Sequence, residues 1–358
     1  MKILLVDNQF DGAYGSLTQF INEISFELLR MNHKVFIAKN MEDAMIVYKT
    51  QSIDFSIGIG RYPYYIQGRA LYSIYQVIHY QWIIDNPYKM QIDNKSEYIR
   101  YILIDKLFLD CIDSVKNKEL VLPLGIPYDI TVADTESRLP GIVFAGQIRD
   151  VNEIYAEIMS NRLRSRILQI IDILLQRLDE PFISVFNREA IDLNYEDKIQ
   201  AFKLCNSYLR AYKRTKVITE IKNYPVYIIG DSNKQVEQQG NVVFLGKSKY
   251  ANVFEIMKKY RFALNIEPNF NTGFHDRALR AICNGNALIT NYGMGQKRVY
   301  GENAILYKYS DINDIVDSII HMSLEDIRNS NEIVSKRVRK YFGWNSILSQ
   351  IIKDFRSR

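Results

Sequence analysis

Short apolar runs without polar alternation recur along the chain, separated by stretches with helical spacing. The first, Ile3 to Val6, reads as a parallel strand buried on both faces. After the loop Asp7 to Gly15, Ser16 and Gln19 form an S-x-x-Q pattern that predicts a capping box, and Leu17, Phe20, Ile21, Ile24 and Leu28 share one helical face. Val35 to Ala38 is the next strand. This strand–helix–strand unit implies a parallel sheet with ligands at the carboxyl ends of its strands. Asp54 to Gly60 and Val77 to Ile84 read as further strands, the second stopped before Pro87, and Val121 to Gly125 as a last strand-to-loop transition.

Thr131 to Pro140 is polar and aperiodic and reads as a linker. Beyond it comes the strand Ile142 to Gly146, then a helix over 151–178 with Leu163, Ile167, Ile170, Ile171, Leu174 and Leu178 on one face, then a second helix ending near Lys222. The rhythm then becomes regular. Strands are expected at Val226 to Gly230, Val242 to Gly246, Phe262 to Ile266, Ala287 to Thr290 and Ala304 to Tyr307, with helices at Val253 to Lys259 and Arg277 to Cys283. After Trp344 and Asn345, an amphipathic helix presents Ile347, Leu348, Ile351, Ile352 and Phe355 on one side. The pattern predicts an α/β protein of two Rossmann-like, doubly wound lobes facing a cleft. The expected domains are 1–132 and 141–340, with 341–358 a helix that packs on its own lobe or crosses back to the first.

Composition agrees with this picture. A chain of 358 residues suits two domains, and 47% apolar with 24% charged residues supplies a core for each. The balance of 46 Lys and Arg against 41 Asp and Glu is too even for a nucleic-acid binder. It suits an anionic small molecule and leaves peripheral membrane contact and homo-oligomerisation open. Cys111, Cys205 and Cys283 are widely spaced and form neither a metal-ligand pattern nor a disulfide framework, so a reducing, cytoplasmic setting is expected. The start carries no signal-peptide pattern, and no apolar stretch approaches the ~20 residues that cross a bilayer.

Candidate chemistry gathers in the second half. Gly146, Gly230 and Gly246 each close a strand at its carboxyl edge, where a small residue lets a ligand approach the backbone. Glu267 and Gly273-Phe274-His275-Asp276-Arg277 lead from a strand into a helix whose first N–H groups favour a phosphate. A cation in that first turn is unfavourable for the helix alone, so Arg277 is expected to face an anion. Its bland alternative is a surface pair with Asp276 or Glu267, and His275 is either a donor to a diphosphate or a solvated loop histidine.

The run from Gly273 through Asn284-Gly285 to Asn291 resembles the donor-site signature of GT-B glycosyltransferases, above all the CgeB-like (spore-maturation-type) group. Trp82-Ile83-Ile84-Asp85-Asn86-Pro87 resembles that group's W-x-x-D-x-P segment, and Leu122 to Gly125 its L-P-x-G segment. The resemblance implies transfer of a sugar from a nucleotide-diphosphate donor, held by the second lobe, to a glycan, glycoconjugate or protein acceptor on the first. It implies no cofactor beyond that donor, and a donor site that includes Gly273, Phe274, His275, Arg277, Gly285 and Asn291. Arg280 departs from the pattern, since related transferases place there a Glu that holds the ribose or sugar; Glu267 and Glu302 are its candidate substitutes. The departure leaves a non-catalytic sugar-nucleotide-binding subunit as the alternative, and a nucleotide-sugar epimerase behind it.

No D-x-D pair occurs in the sequence, so cations and helix dipoles, not a metal, are expected to neutralise the leaving group. Arg149, Arg214 and Lys247 join Arg277 as candidates. For an acceptor base, Asp11 beside Gly12 lies in the loop after the first strand, with a turn or helix-capping Asp as its alternative; His79 and Asp85 lie at another candidate edge.

Overall fold

A computed structural model of the chain describes all residues except 9–14, 90–95, 112–118, 128, 131, 133–135, 232, 268–269, 271 and 313, and leaves aside the side chains at 234, 314, 316, 317 and 320. Two compact units result: Met1–Asp129 with Lys249–Ala251 and Arg339–Arg358, and Ile130–Ser248 with Asn252–Val338.

The first unit runs β1 (Lys2–Val6), α1 (Ser16–Arg30), β2 (Lys34–Ala38), α2 (Met41–Thr50), β3 (Phe55–Ile59), the small hairpin β4 (Tyr65–Ile66) and β5 (Arg69–Ala70), α3 (Leu71–Ile74), β6 (Ile78–Ile83), β7 (Ile99–Leu103) and β8 (Glu119–Val121). Its six-stranded parallel sheet has the order β2-β1-β3-β6-β7-β8. Ile3 to Val6 are fully buried, as a strand covered on both faces requires. β7 escapes a search for apolar runs because Arg100 interrupts it, yet Leu103 pairs with Ile83 and Val121 on either side. The expected capping box does not form: helix α1 begins at Ser16 itself, Gly15 stands at the N-cap without a side-chain bond, and Gln19 donates to Glu23 at 3.0 Å instead.

The second unit runs β9 (Leu139–Ala145), α4 (Val151–Met159), α5 (Arg164–Gln176), α6 (Phe182–Glu189), α7 (Tyr195–Glu220), β10 (Val226–Ile229), α8 (Lys234–Glu237), β11 (Val242–Gly246), α9 (Tyr250–Met257), β12 (Tyr260–Asn265), α10 (Asp276–Cys283), β13 (Ala287–Asn291), α11 (Met294–Tyr300), β14 (Ile305–Tyr307) and α12 (Asp314–His321). Its parallel sheet has the order β11-β10-β9-β12-β13-β14. Counted from β9 this is 3-2-1-4-5-6, the dinucleotide-binding order, which reverses between β9 and β12. β9 starts inside the expected linker, because Leu139 pairs with Tyr260 at the amino ends of the two central strands. The helix expected over 151–178 is two. Asn161 breaks it, its Oδ1 accepting from the Leu163 amide at 2.9 Å. The sheet's inner face (Ile142, Phe144, Val226, Ile228, Phe262, Leu264 and Ile289) packs with Val217 and Ile218 of α7. α5 to α7 also make their own apolar centre, where Phe182, Phe186 and Phe202 meet edge-on or tilted at 5.1–5.7 Å.

The chain re-enters the first unit within α13 (Leu324–Phe342) and ends in α14 (Trp344–Arg356). Trp344 lies edge-on to Trp82 at 5.7 Å and donates through Nε1 to Glu23 at 2.8 Å, while Phe355 packs on Phe55 at 5.1 Å. Any side chain at Gly125 would overlap the Trp344 indole, so the glycine of the L-P-x-G segment serves this packing.

Candidate functional site

The carboxyl ends of β9 and β12 are neighbours in the second sheet, and the segments leaving them carry most of the candidate residues. Gly146 and Gln147 follow β9; Ile266 and Glu267 follow β12; α10 starts at Asp276. The stretch before α10 is held from three sides. The backbone N–H of Glu267 donates to Asn291 Oδ1 at 2.7 Å, and Asn291 Nδ2 returns a bond to the Glu267 carbonyl at 3.1 Å. The Glu267 carboxylate accepts from the His275 amide at 2.7 Å and from Gln296 Nε2, which also reaches the Gly273 carbonyl at 3.1 Å. Phe274 is buried edge-on against Tyr300 at 5.8 Å. Burial drives the Glu267 pKa up to about 7, against its hydrogen bonds and Arg277.

At the start of α10, Asp276 Oδ1 lies 2.8 Å from His275 Nδ1. A carboxylate only accepts, so it favours the proton on Nδ1 and leaves Nε2 to accept from Arg277 Nη2 at 3.0 Å. The Arg277 amide and Nε, each 3.3 Å from Nδ1, are the weaker competitors. Desolvation and then Arg277 lower the His275 pKa, which keeps the ring neutral. The Arg277 guanidinium lies against Gly146, where a Cβ would stand 2.9 Å from Nη1.

Arg214, on α7, is buried and donates to the Gln147 carbonyl at 2.5 Å, with its guanidinium 5.6 Å from the Phe144 ring centroid. Desolvation, then Arg210 and Arg277, push its pKa well below the usual arginine value. A guanidinium does not release its proton under such pressure, so this marks an accumulation of positive charge. Arg214 and Arg277 thus lie at the Gly146–Gln147 turn at the switch point of the sheet, and Arg210 adds its positive charge to the field on Arg214 and His275. An anion is the partner that such a charge cluster favours.

The other candidates fall elsewhere. Gly230 must be glycine because a side chain would overlap the Gly146 carbonyl; it packs two turns together. Arg149 pairs with Glu157 of the adjoining helix at 2.5 Å, and Lys247, two strands out along the edge, pairs with Asp231 at 2.6 Å. Gly285, at the far end of α10, closes the helix: its N–H bonds Ile282, that of Asn286 bonds Ala281, and φ is +91°. Arg280 is buried, with Asp276 at 3.9 Å and the Phe254 ring at 5.1 Å; Glu302 is exposed. In the first unit Asp85 is exposed just past β6, whereas His79 is fully buried. His79 is bonded to Ser56 at 2.9 Å and Gln81 at 3.0 Å and stacked on Tyr72, so it is a neutral core histidine and not an edge group. Asp11 and Gly12 lie outside the described residues. Among the described residues no three His, Cys, Asp or Glu side chains gather as a metal site, and no helix is long and apolar enough to cross a membrane. Arg210 and Gln296 were missed by sequence reasoning; the spacing of Arg210 and Arg214 on one helix was the only trace of the former.

Residues 209–353 match the family model of glycosyl transferase-like proteins. The search against curated proteins finds no match. Among solved structures, the chain resembles sucrose-phosphate synthase from Thermosynechococcus elongatus (TM-score 0.61, 10% identity, 99% of this chain and 98% of that one). It also resembles HepE of Anabaena in complex with UDP-glucose (0.56, 10%, 100% of both). A third is a DNA-modifying β-glucosyltransferase studied with and without uridine diphosphoglucose (0.56, 10%, 99% and 100%). The matched segment is thus glycosyl transferase-like, and the fold, two parallel α/β sheets, is the one these solved structures share.

Proposed function

We propose that this protein is a glycosyltransferase that binds a nucleotide-diphosphate sugar at the β9/β12 edge and transfers the sugar to a glycan, glycoconjugate or protein acceptor. The observation that carries the proposal is the placement of Arg214 and Arg277 at the Gly146–Gln147 turn beside the first turn of α10, with Arg210 adding to the positive field on Arg214. In transfer, the departing nucleotide diphosphate gains negative charge as the bond to the anomeric carbon breaks. Guanidinium groups fixed around it stabilise that charge without reorganising, the role a divalent ion plays in other sites. Arg277, braced by His275, is the group we assign to the leaving phosphate; Arg214 supports the turn it lies on. The neutral His275 can turn its Nδ1–H to a diphosphate oxygen or accept a sugar hydroxyl on its Nε2 lone pair. The reading as a cytoplasmic, metal-independent enzyme of the CgeB-like group belongs to this same proposal, as does Asp85 on the acceptor side.

The test is a donor panel of UDP-, GDP- and dTDP-sugars, read by thermal shift and by donor hydrolysis. A bound donor stabilises in proportion to the logarithm of its concentration over Kd. Arg277→Ala is expected to lower turnover by ~10²–10³; activity within a few-fold of wild type would remove the assigned role. Buried Arg280, paired with Asp276 where related transferases carry Glu, supports the second reading, a sugar-nucleotide-binding subunit without catalysis. Binding without turnover would favour it.

A further inference from the structure

Glu267 is the one carboxylate buried directly behind the Gly273–Arg277 stretch among the described residues. It touches no face open to a ligand: one oxygen is taken by the His275 amide, the other by Gln296, and its backbone is tied to Asn291. From there it bonds the backbone of the N-cap residue that braces Arg277.

Building on the donor-site reading above, we propose that Glu267 is a positioning residue. It fixes the His275–Arg277 face from behind, and its own charge sets how tightly that face holds the donor diphosphate. An ionised Glu267 offsets part of the positive field that Arg277 and its neighbours present; a protonated one leaves that field whole. Donor binding therefore weakens as Glu267 ionises and takes up a proton when Glu267 was ionised beforehand. Its titration is placed near neutrality by burial, which lifts its pKa to about 7. The groups around it are Arg277 and neutral His275 from the α10 side and the phenols of Tyr300, Tyr307 and Tyr309, all raised well above 10 and uncharged throughout. Lys213, whose ammonium lies 4.2 Å from the Tyr309 ring centroid, loses its charge over a similar range and is the competing source of a pH effect.

The experiment measures the affinity of whichever of UDP-, GDP- and dTDP-glucose binds the wild-type protein best, from pH 6 to 8.5. These diesters keep a constant charge there, so the protein alone titrates. Affinity is expected to fall about tenfold with rising pH, the size of a unit-charge interaction across roughly 12 Å at an effective dielectric of about 20. In Glu267→Gln the carboxamide oxygen can keep the His275 amide, and its nitrogen can meet Gln296 Oε1, a buried atom without a partner among the described residues. That variant should bind about as tightly as wild type at pH 6 and stay flat. The same pH slope in Glu267→Gln would assign the effect to another group and overturn the proposal, as would a flat wild-type profile. Should the variant not fold, calorimetry at pH 7 in buffers of different ionisation enthalpy decides, with Lys213→Met used to remove the competing group: net proton uptake in that variant supports the proposal and none overturns it. If no nucleotide sugar binds at any pH, the donor-site reading itself fails.

Discussion

A buried imidazole can be a catalyst or a strut, and its neighbours decide which. His79 receives the Ser56 hydroxyl on Nδ1 at 2.9 Å and faces Gln81 Oε1 through Nε2 at 3.0 Å. Tyr48 feeds Ser56 at 3.1 Å, and Gln81 passes its own N–H to the Gly60 carbonyl. Every donor in this chain finds an acceptor only while the ring is neutral, and burial lowers its pKa from 6.5 to about 4. The unfolded chain therefore binds a proton between those values that the folded one does not. Stability is full above pH 6.5 and falls as pH drops toward 4, by about 3 kcal/mol from this group. Urea denaturation at pH 7 and 4.5 measures the loss, and His79→Gln should flatten it. Arg214 poses the reverse case of a charge kept where it is costly. Arg214→Met should raise or preserve thermal stability, because it relieves like-charge repulsion with Arg210 and Arg277. It should also weaken nucleotide-sugar binding; unchanged affinity would place Arg214 outside the donor site.

At the scale of elements, the two ends of α10 do different work. Its N-terminus carries the His275–Asp276–Arg277 arrangement, while its C-terminus is a six-to-one and five-to-two pair of bonds closed by Gly285. Gly285→Ala meets a left-handed backbone and would approach Arg138 Nη2 and Val132 to 2.7 Å. It should cost about 1–2 kcal/mol, seen as a lower Tm, while nucleotide-sugar affinity at the opposite end of the helix is retained. Loss of binding out of proportion to stability would return Gly285 to the donor site. The helix over α10 and the amphipathic spacing of α14 were plain in the sequence. Less legible were β7, whose apolar run Arg100 interrupts, and the division of 151–178 into α4 and α5. There one face stays apolar through the break, and only Asn161 marks it.

For the molecule as a whole, the first unit is discontinuous in sequence. Trp344, Ile347, Leu348, Ile351 and Ile352 of α14 are buried in it, and the α13–α14 junction bonds Ile126 through the Trp344 amide and the Phe342 carbonyl. Residues 1–129 expressed alone should fail to fold, whereas the same fragment joined by a linker to 339–358 should show a cooperative transition. Trp344→Ala should destabilise the intact protein by about 3–5 kcal/mol. A stable, cooperatively folding 1–129 fragment would show that α14 is dispensable.

The apolar runs, their helical separators and the glycines at strand ends were enough to specify two parallel α/β sheets, because a strand buried on both faces leaves a mark in a handful of consecutive residues. Gly273 to Arg277 stood out for the same reason: the free N–H groups of a helix start are local chemistry. What lay beyond the sequence was every decision made by contacts distant along the chain. Arg214 and Arg277 reach the same Gly146–Gln147 turn from more than sixty positions apart because α7 packs beside β9. His79 proved a core residue, Arg149 and Lys247 found surface partners, and Glu267 became a buried brace. Residue type limits what a side chain can do; burial and neighbours, which only the tertiary structure supplies, determine what it does.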